Sequence, residues 1–430
     1  MQVLKKVSIF FVCAVVCGCS QMPSLWNRGA DYDPYQHYVA DKKAVSMTEM
    51  TDYSQVDLGN AGSFRVAMLL PLSGNAASTG QSMKNAAMMA IGDINNNNLV
   101  VQFYDTKGTG SGARVALENA LNAGCDMILG PLTSEEVAAV SPEAKNKNIP
   151  VVSFSTAPNV LQSGIYSLGL LNQNQINRII EYAAAHGRSR IAAVLPNNQS
   201  GENMYRSLLK AAQDNGVSVV KVGFYTPSSM DFTGLVTQMK SGGVDFDALL
   251  IPETGNRLKA ISSMFSYYDV AAPEVLFMGT SVWDNSALNK ETELYGAAYP
   301  VISLKNQSRF SEKFRDLFGE RPSGLSIFAY DAVALASVVA RQGGNIYEQI
   351  LRPEGYTGMS GSFRIFADGT NEHGMDIVKV SSGGKYVVEY APSQFHGYPA
   401  QNTNQTVGYV DMPQIFGKSA AELQNAPVVY

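Results

Sequence analysis

The sequence predicts an α/β protein of two similar halves, and three observations predict it. From residue 64 onward, short β-branched runs alternate with helical stretches, the pattern of a parallel sheet covered by helices. The alternation restarts at residue 190 with a second set much like the first. The 430-residue length suits two lobes rather than one.

In the first set the strands are "FRVAMLL" (64–70), "VVQFYD" (100–105), "DMILG" (126–130) and "IPVVSFS" (149–155), bounded by Gly, Pro and Asn. Helices are expected over "SMKNAAMMAIGDI", "ARVALENALNAG" and "SEEVAAVSPEAKNKN". "TSEE" at 133–136 fits a capping box, with Thr133 at the cap and Glu136 three residues on. The glycine-rich "GTGSG" at 108–112 lacks phosphate-loop spacing and is expected to form a turn. In the second set "RIAAVLP", "VSVVKVGFY", "FDALLIPE" and "VLFMG" alternate with "ENMYRSLLKAAQDNG", "DFTGLVTQMKSGG" and "NRLKAISSMFSYYD". "SRFSEKFRDLFG" and "GLSIFAYDAVALASVVARQGG" then read as helical. Residues 359–390 alternate apolar and polar side chains around Gly and Asp, as a small antiparallel addition does.

The first residues stand apart from this pattern. Lys5 and Lys6 precede a ten-residue apolar run, Val7 to Val16, which is too short to span a bilayer and suits a secretory signal. "VCGC" resembles a bacterial lipobox, with Gly18 before the cut and Cys19 as the acylated residue. Ser20 after the cysteine implies sorting to the outer membrane, facing the periplasm. Residues 1–18 are therefore read as the signal, 19–63 as a lipidated polar tether, and 391–430 as an irregular tail. With Cys13 and Cys17 in the signal and Cys19 lipidated, Cys125 has no partner for an intramolecular disulfide and reads as a small core residue.

Charge and motif content exclude several classes. Without Lys5 and Lys6 the chain holds 30 basic and 37 acidic residues, a formal charge of −7, which disfavours nucleic acid. There is no G-x-S-x-G elbow, H-E-x-x-H helix or Walker loop. The histidines, at 37, 186, 373 and 396, form no pair at ligand spacing; His186 reads as a helix C-terminal residue. No enzyme, metal or cofactor is expected. Tyr267, Tyr268 and Trp283 are candidate aromatic anchors beside the second lobe's loops.

Residues 64 to about 390 resemble type I periplasmic binding proteins of the branched-chain amino-acid receptor group. The resemblance rests on "LLPLSG", "GPLTSEEV", "IPVVSFSTAP", "FAYDAVALA" and "GSFRIFADG", in that order. It implies two Rossmann-like lobes facing a cleft: lobe one at 64–172 plus 303–341, lobe two at 173–302 plus 342–390. In open α/β sheets ligands sit beyond the carboxyl ends of strands, where loops meet helix N-termini. Ser73, Gly74, Thr133, Ser134, Ser155, Thr156 and Ala157 are such positions in lobe one; Ser200, Thr280 and Ser281 are the candidates in lobe two. Thr133, Ser134 and Ser155 are suited to a carboxylate. Thr280–Ser281 replaces the acid those receptors set against the ammonium, Ala157 replaces a hydroxyl, and Ser200 replaces a closing aromatic. Glu202, Glu253 and Asp284 are the acids available as substitutes.

The lipobox and "LLPLSG" bring the chain nearest to outer-membrane lipoproteins that activate class A penicillin-binding proteins. That resemblance implies a peptidoglycan synthase as partner. The alternative is a solute receptor for an ABC permease, holding an amino acid or a related small polar ligand.

Overall fold

A computed structural model describes residues 45–46, 63–392 and 395. The signal, Cys19, nearly all of the 19–63 tether and nearly all of the tail lie outside the described residues. Within the expected tether, Val45–Ser46 forms a short strand (β1) that pairs in parallel with Tyr356 and Thr357.

The first unit follows the predicted alternation. Its elements are Phe64–Leu70 (β2), Ala77–Ile94 (α1), Leu99–Asp105 (β3), Gly110–Asn122 (α2), Met127–Leu129 (β4), Ser134–Asn146 (α3), Val151–Ser153 (β5) and Ile165–Ser167 (β6). The sheet order is β3-β2-β4-β5-β6, all parallel. β2 is apolar at every position from Val66 to Leu70 because both of its faces are covered. Val66, Met68 and Leu70 join one core, and Ala67 and Leu69 another. The capping box at Thr133 is present, with the Thr133 side chain accepting from the Glu136 N–H and the Glu136 carboxylate from the Thr133 N–H. The glycine-rich 108–112 stretch forms a turn only at its start, where Gly108 has φ +69°. Thr109 caps α2 by accepting from the Gly112 N–H, so Gly110 to Gly112 open the helix instead of forming a turn.

In the second unit come Asn172–Ala185 (α4), Arg190–Pro196 (β7), Gln199–Asp214 (α5), Ser218–Tyr225 (β8), Thr233–Lys240 (α6), Ala248–Leu250 (β9), Gly255–Tyr267 (α7), Leu276–Met278 (β10) and Ala298–Val301 (β11). The chain then returns to the first unit with Leu304–Phe318 (α8) and Ser326–Gln342 (α9). Every residue of α9 from Ser326 to Ala340 is buried, as expected of a mostly apolar helix, and Asp331 is the one carboxylate in that span. It shares one core with α1, and Phe310 and Phe314 of α8 lie in the same core.

Next are Ile346–Ile350 (α10), Tyr356–Gly358 (β12), Gly361–Ile365 (β13), Asn371–His373 (β14), Asp376–Ser381 (β15) and Gly384–Glu389 (β16). These correct the expected lobe boundary at residue 342. Tyr356, Phe363 and Ile365 pack into the first unit's core, and only β15 and β16 join the second sheet, ordered β16-β15-β11-β10-β9-β7-β8. The cause lies in α9. The buried Asp331 carboxylate accepts from the N–H groups of Met359 (2.6 Å) and Ser360 (2.8 Å), holding the β12–β13 turn against the helix. The chain crosses between units after β6, after β11 and after β14, so the expected single antiparallel addition is divided between them.

Candidate functional site

On the first unit the predicted loops lie together at the carboxyl ends of the strands, but most of their polar groups are already committed. Asp105, at the end of β3, accepts from the N–H groups of Leu72 (2.9 Å), Ser73 (3.1 Å) and Lys107 (2.8 Å), and from the Ser73 hydroxyl (2.6 Å). Burial pushes the Asp105 carboxyl up, and these bonds outweigh it, holding its pKa below the ordinary value. Gly74 has φ +79°, and a Cβ there would lie 2.7 Å from the Lys107 carbonyl oxygen, so the turn requires glycine. Ser73 and Gly74 thus form a fixed turn after β2, pinned to the end of β3. Thr133 is occupied as the α3 cap. The Ser155 side chain accepts from the Ala157 N–H at 3.3 Å. Ser134 and Thr156 remain exposed.

On the second unit Ser200 is exposed in the first turn of α5, and Thr280 is buried after β10. The Ser281 N–H donates to the amide oxygen of Gln175 (2.8 Å), tying this loop to the start of α4. All three substitute acids have cationic partners. Glu202 pairs with Arg206 at 2.9 Å, Glu253 with Arg257 at 3.3 Å, and Asp284 with Lys385. Glu253 also accepts from the Tyr225 hydroxyl, and burial, followed by this carboxylate, pushes the Tyr225 phenol well up.

A cavity of about 540 Å³ lies where the two units meet. The first unit supplies Thr156, Leu170 and Phe328, and the second supplies Ser281, Val282 and Asp284. Of the residues singled out in the sequence as sites, Thr156 and Ser281 come together here. Ser73, Gly74, Thr133, Ser134, Ser155, Ala157, Ser200 and Thr280 are outside its lining. Gln175, Val282 and Phe328 also line the cavity and could not be singled out in the sequence, because each depends on how the units are juxtaposed.

The candidate anchors separate. Trp283 is fully buried, its indole N–H donating to the Ile251 carbonyl (3.0 Å), and its ring occupies the space a Cβ on Gly279 would need. It is a core residue, not an anchor. Tyr267 is 78% exposed, and Tyr268 stacks beneath the Lys240 ammonium, 5.7 Å from the ring centre. His186 caps α4, and its Nδ1 lies 2.8 Å from the Tyr182 carbonyl oxygen. Among the described residues no group of His, Cys, Asp and Glu is arranged to hold a metal, and no helix is long and apolar enough to cross a membrane.

Comparison with known proteins agrees with this architecture. The Leu/Ile/Val-binding protein BraC3 of Rhizobium johnstonii is 25% identical over 47% of this chain and 58% of its own length. The chain spans little more than half the length of the curated Leu/Ile/Val-binding relatives it matches. A putative branched-chain amino acid ABC transporter structure from Rhodospirillum rubrum superposes with a TM-score of 0.68 at 15% identity, over 76% of this chain and all of that one. A solute-binding protein from Rhodopseudomonas palustris, solved with 3,4-dihydroxybenzoic acid, gives 0.56 at 17% identity over 78% and 99% of the two chains. Residues 63–385 match the profile described as periplasmic binding protein, three quarters of the sequence. The chain belongs to the periplasmic binding protein family, in its type I fold.

Proposed function

We propose that this protein is a non-catalytic solute receptor that captures a small ligand between its two units and presents it to an ABC permease. The observation that carries the reading is the shared cavity, to which Thr156 and Phe328 come from one unit and Ser281 and Val282 from the other. A ligand held by both walls is bound better when they close than when they part, and that difference is what a permease can read. The volume is within the range of small-molecule sites, about 300–1,000 Å³. The names of the relatives favour this receptor reading over the synthase activator expected from "LLPLSG" and the lipobox. The lipobox adds a location: acylation at Cys19 would hold the receptor in the outer membrane, facing the periplasm.

The test is a thermal-shift screen of the full chain against amino acids, their amides, small carboxylates including 3,4-dihydroxybenzoate, and peptidoglycan fragments. A ligand at 100 times its dissociation constant stabilises the fold by about 2.7 kcal/mol, a visible shift. A shift with any small solute supports the receptor. Silence for all solutes, with capture of a peptidoglycan synthase from envelope extract, would favour the activator.

A further inference from the structure

We infer that the cavity between the units selects an uncharged ligand with an apolar body, and discriminates against zwitterionic amino acids. The inference rests on the receptor reading above and goes further by naming the ligand's chemistry. Of the side chains lining the cavity, Asp284 alone is ionisable. It faces no vacancy of charge: the Lys385 ammonium is bonded to it, and the Tyr299 hydroxyl donates to it at 3.4 Å. Neither Lys nor Arg lines the cavity, so a ligand carboxylate would meet no cation there. A ligand ammonium would have to compete with Lys385 for the one acid. A charged group taken from water into such a space loses hydration without gaining an opposite charge.

What the cavity does offer is apolar surface and neutral hydrogen-bonding groups. Leu170, Phe310 and Phe328 form the apolar wall on one side, and Val282, 45% exposed, projects from the other. The lining amides of Gln175 and Gln307 are spent within the protein, Gln175 on the Leu170 carbonyl (3.2 Å) and the Ser281 N–H, Gln307 on the Ile302 carbonyl (3.2 Å). The side chains of Thr156, Asn172, Ser281 and Ser311 line the cavity and carry no side-chain hydrogen bond among the described residues, leaving three hydroxyls and an amide to pair with a ligand's carbonyl, hydroxyl or amide. That combination suits a neutral amide or alcohol on an aliphatic or aromatic body.

The experiment is calorimetric titration of the full chain with four compounds that share one branched aliphatic body and differ in charge. They are 4-methylpentanamide (neutral), leucine (zwitterion), 4-methylpentanoate (anion) and 3-methylbutylamine (cation). The amide is expected to bind at least tenfold tighter than each of the other three. Lys385→Met, which leaves Asp284 without its cation, is expected to move the preference at least tenfold toward 3-methylbutylamine, locating the binding at this cavity. Tightest binding of leucine by the wild-type protein would overturn the neutral-ligand inference and leave the receptor reading standing. So would tightest binding of the pentanoate. No heat from any of the four would overturn the stated ligand class, and the wider solute panel would then decide the receptor reading separately.

Discussion

The Asn174 side-chain amide, in the first turn of α4, donates to the Asn371 side-chain oxygen at 2.9 Å and to the Asn371 carbonyl at 2.7 Å, joining the first helix of one unit to the last small strand of the other. Asn371 is itself buried, and its amide donates to the carbonyls of Ser167 (2.9 Å) and Gly169 (2.8 Å). One asparagine pair thus fixes two of the three crossings between units. Asn371→Ala leaves the Ser167 and Gly169 carbonyls without this donor and is expected to cost about 2–4 kcal/mol, measured by denaturant unfolding. Asn371→Asp should be no better, because a carboxylate cannot donate to either carbonyl. A loss under about 0.5 kcal/mol in both variants would show that this pair does not hold the two crossings together.

Acid should weaken the fold through His373, which is 4% exposed between Phe363 and Phe328. Burial pulls its pKa from 6.5 down to about 4, so between those values the unfolded chain binds the proton more readily than the folded one. Its contribution is complete above pH 6.5 and is lost as pH falls toward 4. Burial raises Asp331 to about 6, and its contribution has the opposite slope, lost as pH rises from 3.8 to 6. The His373→Phe comparison isolates the histidine. From pH 6.5 to 4.5 the wild type should lose about 2 kcal/mol more stability than His373→Phe. Equal pH slopes for the two proteins would show that His373 is not the group responsible.

A Cβ on Gly279 would fall 2.2 Å from the Trp283 ring, too close for any rotamer to relieve while the indole keeps its bond to Ile251. Gly279→Ala should destabilise the protein by about 2 kcal/mol and shift its tryptophan emission to the red as the indole is displaced. Unchanged emission would mean that the ring is not held as described.

The proposed acylation of Cys19 predicts a membrane-associated protein. The wild type should partition into detergent and the membrane fraction, and Cys19→Ala should appear in the soluble envelope fraction with its fold intact. Recovery of both proteins in the same fraction would argue against acylation.

Much of the architecture was legible in residues 64–155, because buried parallel strands such as "FRVAMLL" carry continuous apolar runs. β6 and β11 were not. Their sequences, "IYS" and "AYPV", hold no continuous aliphatic run, and β11 contains Pro300. The second crossing back from lobe one was misplaced because it depends on Asp331 reaching two N–H groups 28 and 29 residues away, a contact with no periodicity to reveal it. In the candidate site, Thr156 and Ser281, which line the cavity, were singled out from their loop positions after a strand. Gln175 and Phe328 could not, since one acts through a hydrogen bond to a loop 106 residues away and the other looks like any core aromatic of α9.

The most direct measurement is calorimetric titration of the best-shifting small solute into the wild type, Thr156→Trp and Ser281→Trp. These substitutions fill the cavity from opposite units while leaving the cores untouched. A ligand held between the units should lose at least 100-fold in affinity in each variant, with melting temperatures of the free proteins unchanged. Wild-type affinity retained in both would contradict binding in this cavity, and with it capture of a ligand between the two units.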